Sequence, residues 1–212
     1  GFGRRLEHEF IVGAVQRSKK LGMPIKLIWP REEDIQHCHY RPGTYNKLHA
    51  VLDNQGLPLN WIHLIVGPDR GLSVDGATNI PYSIPYQRIE STVSKSAIPI
   101  VSWRSTGGSL NAFVIESFID EIASVKGFDP YDFRITLLKN KPSHQAVLMA
   151  AAKEARWGEA LPENHFQGIA LYDARNSIVA QVAEISFSNT GEIKVHKVVC
   201  AIDCGMVVNH EI

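Results

Sequence analysis

Two short segments share a chemical design. Gly1-Phe2-Gly3-Arg4-Arg5 and Arg104-Ser105-Thr106-Gly107-Gly108-Ser109 are each basic, contain glycine and stand just before a helical pattern. A helix N-terminus offers unpaired N–H groups and a partial positive charge. Glycine lets an anion come close, and arginine adds a fork of donors. Two such cradles on one chain would hold a phosphorylated ligand at two points. Neither matches the phosphate loop of nucleotide hydrolases or the GxGxxG dinucleotide fingerprint.

Other chemistry-bearing residues have plainer explanations. His37-Cys38-His39 places two histidines on one face of an extended segment, but nothing nearby supplies further metal ligands at a standard spacing. Cys200 and Cys204 share a strand face with Ile202 between them, the pattern of buried core cysteines. Glu32, Glu33 and Asp34 read as a solvated helix start. Glu116, Asp120 and Glu121 read as the polar side of a helix whose opposite face is Val114, Phe118 and Ile122. The like charges of Glu116 and Asp120, four apart, cost a little unless a partner is present. No GxSxG elbow and no Ser/His/Asp set can be picked out.

The elements that must position these residues alternate between α and β. A helix runs from about Leu6 to Leu21, with Gly13, Ala14 and Ser18 giving a small face able to sit close to a sheet. Residues 25–29 read as a buried strand. A hairpin spans 44–53 and 57–66 around Asp53-Asn54-Gln55-Gly56, and a further strand covers 86–93. Residues 67–84 read as irregular and 94–108 as a long loop, which in a compact domain is usually functional. Helices follow at 109–125, 130–139 and 142–156; Asp129 as cap and Pro130 at the first helical position start the second. The remainder is β in character, at 167–172, 178–187 and 192–202. These patterns predict an α+β fold, a mixed sheet with helices mainly on one face.

The 212 residues are 44% hydrophobic and 21% charged, which excludes a disordered chain and a collagen-like repeat. Lys plus Arg (22) equals Asp plus Glu (22), and no basic stripe carries interleaved aromatics, so a nucleic-acid binder is disfavoured. No run of about 18 apolar residues is present, so no transmembrane segment is predicted. The chain opens at Gly1 without an initiator Met and stops at Ile212 without a closing element, and it reads as part of a longer protein.

Three stretches carry a resemblance. GFGRR before a helix, WRSTGGSLNAFVIESFIDEIA, and VAQVAEISFSNTGEIKVHKVVCAIDCGMVVN are similar to the large molybdenum subunit of the xanthine oxidase family. Within that family the likeness is to the isoquinoline 1-oxidoreductase β-subunit branch, whose bacterial members are often labelled aldehyde dehydrogenases. PIKLIWPREEDIQH and YRPGTYNKLHAVLDNQG also resemble it, so the likeness covers nearly the whole chain.

The resemblance implies a molybdenum ion on a pyranopterin, in bacteria commonly as the cytosine dinucleotide. It implies hydroxylation of an aldehyde or N-heterocycle with oxygen from water, and electrons leaving through iron–sulfur clusters on a partner subunit or domain. The family's Gly-Phe-Gly loop matches Gly1, Phe2 and Gly3, and its cofactor-reaching arginine matches Arg104, with Gly107 and Gly108 shaping the turn. Residues 1–158 are then expected to be a cofactor-binding domain truncated at its N-terminus. Residues 159–212 are expected to be the β-rich start of a second cofactor-binding lobe.

There are departures. Leu6 and Thr106 stand where purine-oxidising members carry glutamate and phenylalanine, which counts against purine recognition. The glutamine loop normally found upstream of the first cradle is missing. The family's glutamate base, in a late Gly-Glu motif, has no counterpart. Gly158-Glu159 and Gly191-Glu192 come too early, and no catalytic or metal-ligating residue is assigned within the chain. Asn209-His210 replaces the usual Asn-Pro. The isolated chain is expected to be inactive; the competing expectation is a non-catalytic scaffold of the same fold. The compartment is left open, because some relatives are exported.

Overall fold

A computed structural model describes residues 8–209; Gly1, Phe2, Gly3, Arg4 and Arg5 lie outside the described residues. The chain begins with α1 (Glu9–Leu21) and α2 (Arg31–His37), followed by the hairpin β1 (Tyr45–Leu52) and β2 (Pro58–Gly67). A single helical turn, α3 (Arg70–Val74), leads to β3 (Tyr86–Val93). Three helices, α4 (Gly108–Lys126), α5 (Pro130–Leu137) and α6 (Pro142–Ala155), precede β4 (His165–Ala174), β5 (Ser177–Phe187) and β6 (Ile193–Asp203).

The fold is α+β, with two three-stranded sheets. The first is mixed: β1 is antiparallel to β2, and β3 returns parallel to β2 after a crossover that contains α3. The second is an antiparallel meander, β4-β5-β6. Along β2 the alternating residues Trp61, His63 and Ile65 are buried, the period-two signature of a strand with one covered face. Trp61 meets Phe118 of α4 edge-on, ring centroids 5.0 Å apart. The second sheet packs on α6, whose buried residues Val147, Leu148, Ala151, Ala152 and Ala155 are mostly alanines that permit close approach. One hydrophobic core joins Trp61 and Tyr82 to Ile115, Ile119 and Leu148, and onward to Leu171, Val182 and Val199. The strands after residue 158 therefore pack on the helices before it.

Glu116 does not lie on a polar helix face. It is buried, and its carboxylate accepts hydrogen bonds from Tyr82 Oη–H (2.7 Å), Arg134 Nε–H (3.0 Å) and the Leu171 backbone N–H (2.8 Å). Arg134 is fully buried and also donates to Asp120 Oδ1 at 2.6 Å, so α5 supplies the cation that relieves the Glu116–Asp120 repulsion. Burial pushes the Glu116 carboxyl upward, while Arg134 and the hydrogen bonds from Tyr82 and Leu171 oppose it. For Arg134 burial disfavours the cation, but Glu116 and the neighbouring groups outweigh it and raise its pKa. The helix accordingly buries Ile115, Ile119, Ile122 and Ala123 rather than Val114 and Phe118 as its central stripe.

Two further expectations change. Residues 24–30 alternate between half-buried and exposed, as an extended segment does, but form no strand; no ladder partner is present among the described residues. Among the described residues the small face of α1 is not buried against a sheet. None of its residues is buried, and Phe10, Ile11, Ala14 and Val15 instead line a groove shared with Leu27 and Trp29.

Arg134→Met is expected to lower unfolding free energy by about 3–5 kcal/mol, because it leaves a buried carboxylate without its cation. Adding Glu116→Gln, which keeps an acceptor for the Leu171 N–H, should recover part of that loss in urea unfolding. A single-variant loss within about 1 kcal/mol, the range of an exposed pair, would contradict this expectation.

Candidate functional site

The segment before α4 is held by backbone pairing. Tyr40 N–H donates to Pro99 O (2.9 Å) and Val101 N–H to Tyr40 O (3.0 Å), after which Arg104–Gly107 form a tight turn into the helix. Ser105 and Thr106 are both left-handed, at φ 67° and 46°. For residues with a Cβ such backbone costs about 1–3 kcal/mol each, and it persists where surrounding structure imposes it. Arg104 and Ser105 are exposed, and Arg104 makes no hydrogen bond or ion pair among the described residues.

The turn consumes much of the helix N-terminus. Gly108 N–H donates to Ser105 O, and Leu110 and Asn111 N–H both donate to Gly107 O. The anion-binding capacity expected from free N–H groups is thereby reduced, and the guanidinium of Arg104 remains an uncommitted donor on the turn.

The two glycines serve packing. A Cβ on Gly107 would overlap the carbonyl oxygen of Leu72 and lie 2.8 Å from that of Asp75, and one on Gly108 would overlap the Tyr172 hydroxyl. α4 thus starts directly against the C-terminal end of α3. Asn111 Nδ2 fastens the same junction, donating to Ser73 O (2.8 Å) and Asp75 O (2.9 Å).

Beside the turn is a cavity of about 400 Å³, lined by Arg104, Ser105, Asp75, Asn79, Tyr172 and Arg175 among others. Burial, then the carboxylates of Asp75 and Asp173, raise the Tyr172 pKa against the opposing Arg175, so the phenol stays protonated and able to donate. Asp173, also on the cavity wall, accepts from His144 Nε2 at 2.9 Å. Tyr172, Asp75 and Asp173 carried no local signal in the sequence. Tyr172 and Asp173 follow Leu171, whose N–H Glu116 holds, and Asp75 is brought to the turn by the Asn111 bond at the end of α3.

The remaining candidates disperse. His37 Nδ1 lies 3.1 Å from a carboxylate oxygen of Glu33, Cys38 is buried, and His39 lies 3.6 Å from Glu9. Among the described residues no group of three or more His, Cys, Asp or Glu is placed to hold a metal. Cys200 and Cys204 are exposed free thiols rather than core residues. His63 is buried, its Nε2–H donating to Asn46 Oδ1 at 2.9 Å; burial holds its pKa near 4, so it is neutral.

The family model of the molybdopterin cofactor-binding domain matches residues 1–138. The β subunit of isoquinoline 1-oxidoreductase from Brevundimonas diminuta is 28% identical over 234 residues, covering 100% of this chain and 30% of the relative. A nicotinate dehydrogenase subunit from Pseudomonas putida is 30% identical over 250 residues, covering 99% of this chain and 21% of the relative. The crystal structure of the aldehyde oxidoreductase from Desulfovibrio desulfuricans shares the fold at TM-score 0.59 and 17% identity, covering 92% of this chain and 25% of that one. The chain thus spans less than a third of the length of these relatives. It belongs to the molybdopterin cofactor-binding domain family.

Gly107→Ala is expected to destabilise by about 1–3 kcal/mol, the range for forcing atoms into a packed site. The added methyl has backbone carbonyls, not a movable side chain, in its path. Unfolding within about 0.5 kcal/mol of the parent chain, the range of neutral surface changes, would show that the α3–α4 junction yields.

Proposed function

We propose that this chain is the Arg104-bearing part of the large subunit of a molybdenum hydroxylase that oxidises an aldehyde or an N-heterocycle. The observation that carries the proposal is Arg104 itself. In a chain of the molybdopterin-binding family, it is an exposed, uncommitted guanidinium on a strained turn beside a polar cavity. The cavity offers donors from Arg104 and Tyr172 and acceptors from Asp75 and Asn79, a combination suited to a phosphorylated pterin with its mixed ring edge.

Arg104 would hold the cofactor, the molybdenum-pyranopterin in its cytosine dinucleotide form, with Gly107 and Gly108 setting the turn. Gly1, Phe2 and Gly3 would form the second contact. When bound, the molybdenum supplies the two-electron hydroxylation chemistry. Electrons would pass to iron–sulfur clusters on a partner subunit or domain. Residues 1–158 would be the cofactor-binding domain, and residues 159–212 the first strands of a second cofactor lobe.

In the full-length subunit, Arg104→Ala should weaken cofactor retention roughly ten- to hundredfold, matching the loss of about 1.5–3 kcal/mol for a hydrogen bond to a charged group. Bound molybdenum per chain is the measure, and unchanged occupancy would contradict the assignment. The 212-residue chain alone is expected to be inactive. Hydroxylation of an aldehyde or heterocycle by that chain after purification would overturn this second expectation.

A further inference from the structure

Arg41 lies far from the Arg104 turn in sequence but grips both of its ends. Its Nη1–H donates to Ser109 Oγ at 3.1 Å, just after the turn enters α4. Its guanidinium carbon sits 5.9 Å from the ring centroid of Trp103, the residue immediately before Arg104. The backbone beside it is fixed to the same approach segment by the Tyr40–Ile100 bridge, and Pro42 is buried.

The turn between these two contacts contains the consecutive left-handed residues Ser105 and Thr106. Such backbone relaxes unless neighbouring groups hold it from more than one side. On one side Gly107 is wedged against the carbonyls at the end of α3. On the other, Arg41 is the side chain that joins Trp103 to Ser109. An arginine suits this task because its planar fork can lie on an indole and donate sideways at once, which the point charge of lysine cannot do.

We propose that Arg41 is a positioning residue that holds the Arg104 turn in the shape that meets the cofactor. The proposal rests on the assignment of Arg104 to the cofactor. It gives the segment from Tyr40 to Pro42 a role in the site that its own chemistry does not announce. Arg41 touches the frame of the turn, and its effect reaches the cofactor through Arg104.

The test uses the full-length subunit from a host that makes the cofactor, with the rate of molybdenum and CMP loss and the thermal midpoint as readouts. Arg41→Met is expected to speed cofactor loss about tenfold, the size of one lost charge-assisted contact. Arg41→Lys should not rescue it. The double variant Arg41→Met/Arg104→Ala should lose cofactor no faster than Arg104→Ala alone, because both act through one group. Wild-type retention in Arg41→Met, or a double variant whose effect is the product of the singles, would overturn the proposal.

If Arg41→Met does not fold, Ser109→Ala and Trp103→Leu remove the two contacts separately. Each should speed loss in the same direction, and normal retention in both would overturn the proposal. Normal retention in Arg104→Ala would instead overturn the cofactor assignment, and this proposal with it.

Discussion

A carboxylate taken out of water must be met on every side, and Glu116 is the point at which this requirement organises the protein. Its oxygens gather a phenol from the loop before β3, a guanidinium from α5 and a backbone N–H from β4. Each donor comes from a different element, so satisfying one side chain fixes the relative positions of α4, α5, β4 and the loop before β3. An apolar residue would fill the same volume without specifying those directions. Removing any one donor exposes the desolvation cost of the charge that remains.

The site follows from that arrangement. Leu171, held by Glu116, is followed by Tyr172, which lies over Gly108 at the start of α4 and beside Gly76. Gly107 lets the same helix start abut the end of α3, and Arg41 closes the other side of the turn. Arg104 thus stands on a backbone constrained by the core, by α3 and by the segment after α2, while its own side chain is uncommitted. Strained backbone at the rim of a polar cavity is the observation from which the role of Arg104 is proposed.

Much of this was legible in local pattern. The turn at Asp53–Gly56, the Asp129-Pro130 helix start and the β5–β6 turn at Ser188–Gly191 appear where their chemistry places them. Arg104, Gly107 and Gly108 were legible as a basic glycine turn before a helix. What sequence could not reveal is which partner a side chain meets. Glu116 and Asp120 look solvated along α4 alone, because Arg134 comes from another helix. Cys200 reads as buried from strand period alone, but the covered face of β6 is decided by α6, and Cys200 points away from it. Residues 25–29 have strand-like composition and no strand beside them among the described residues. Arg41 and Tyr172 reach the turn only through tertiary packing.

The decisive quantity is the content of molybdenum, and of CMP released on hydrolysis, in the full-length protein from a cofactor-producing host. If the Arg104 turn holds the cofactor's dinucleotide form, both will be present in stoichiometric amount with the subunit. A folded protein carrying neither would refute that role, and would leave the Arg104 turn and its cavity as features of a scaffold.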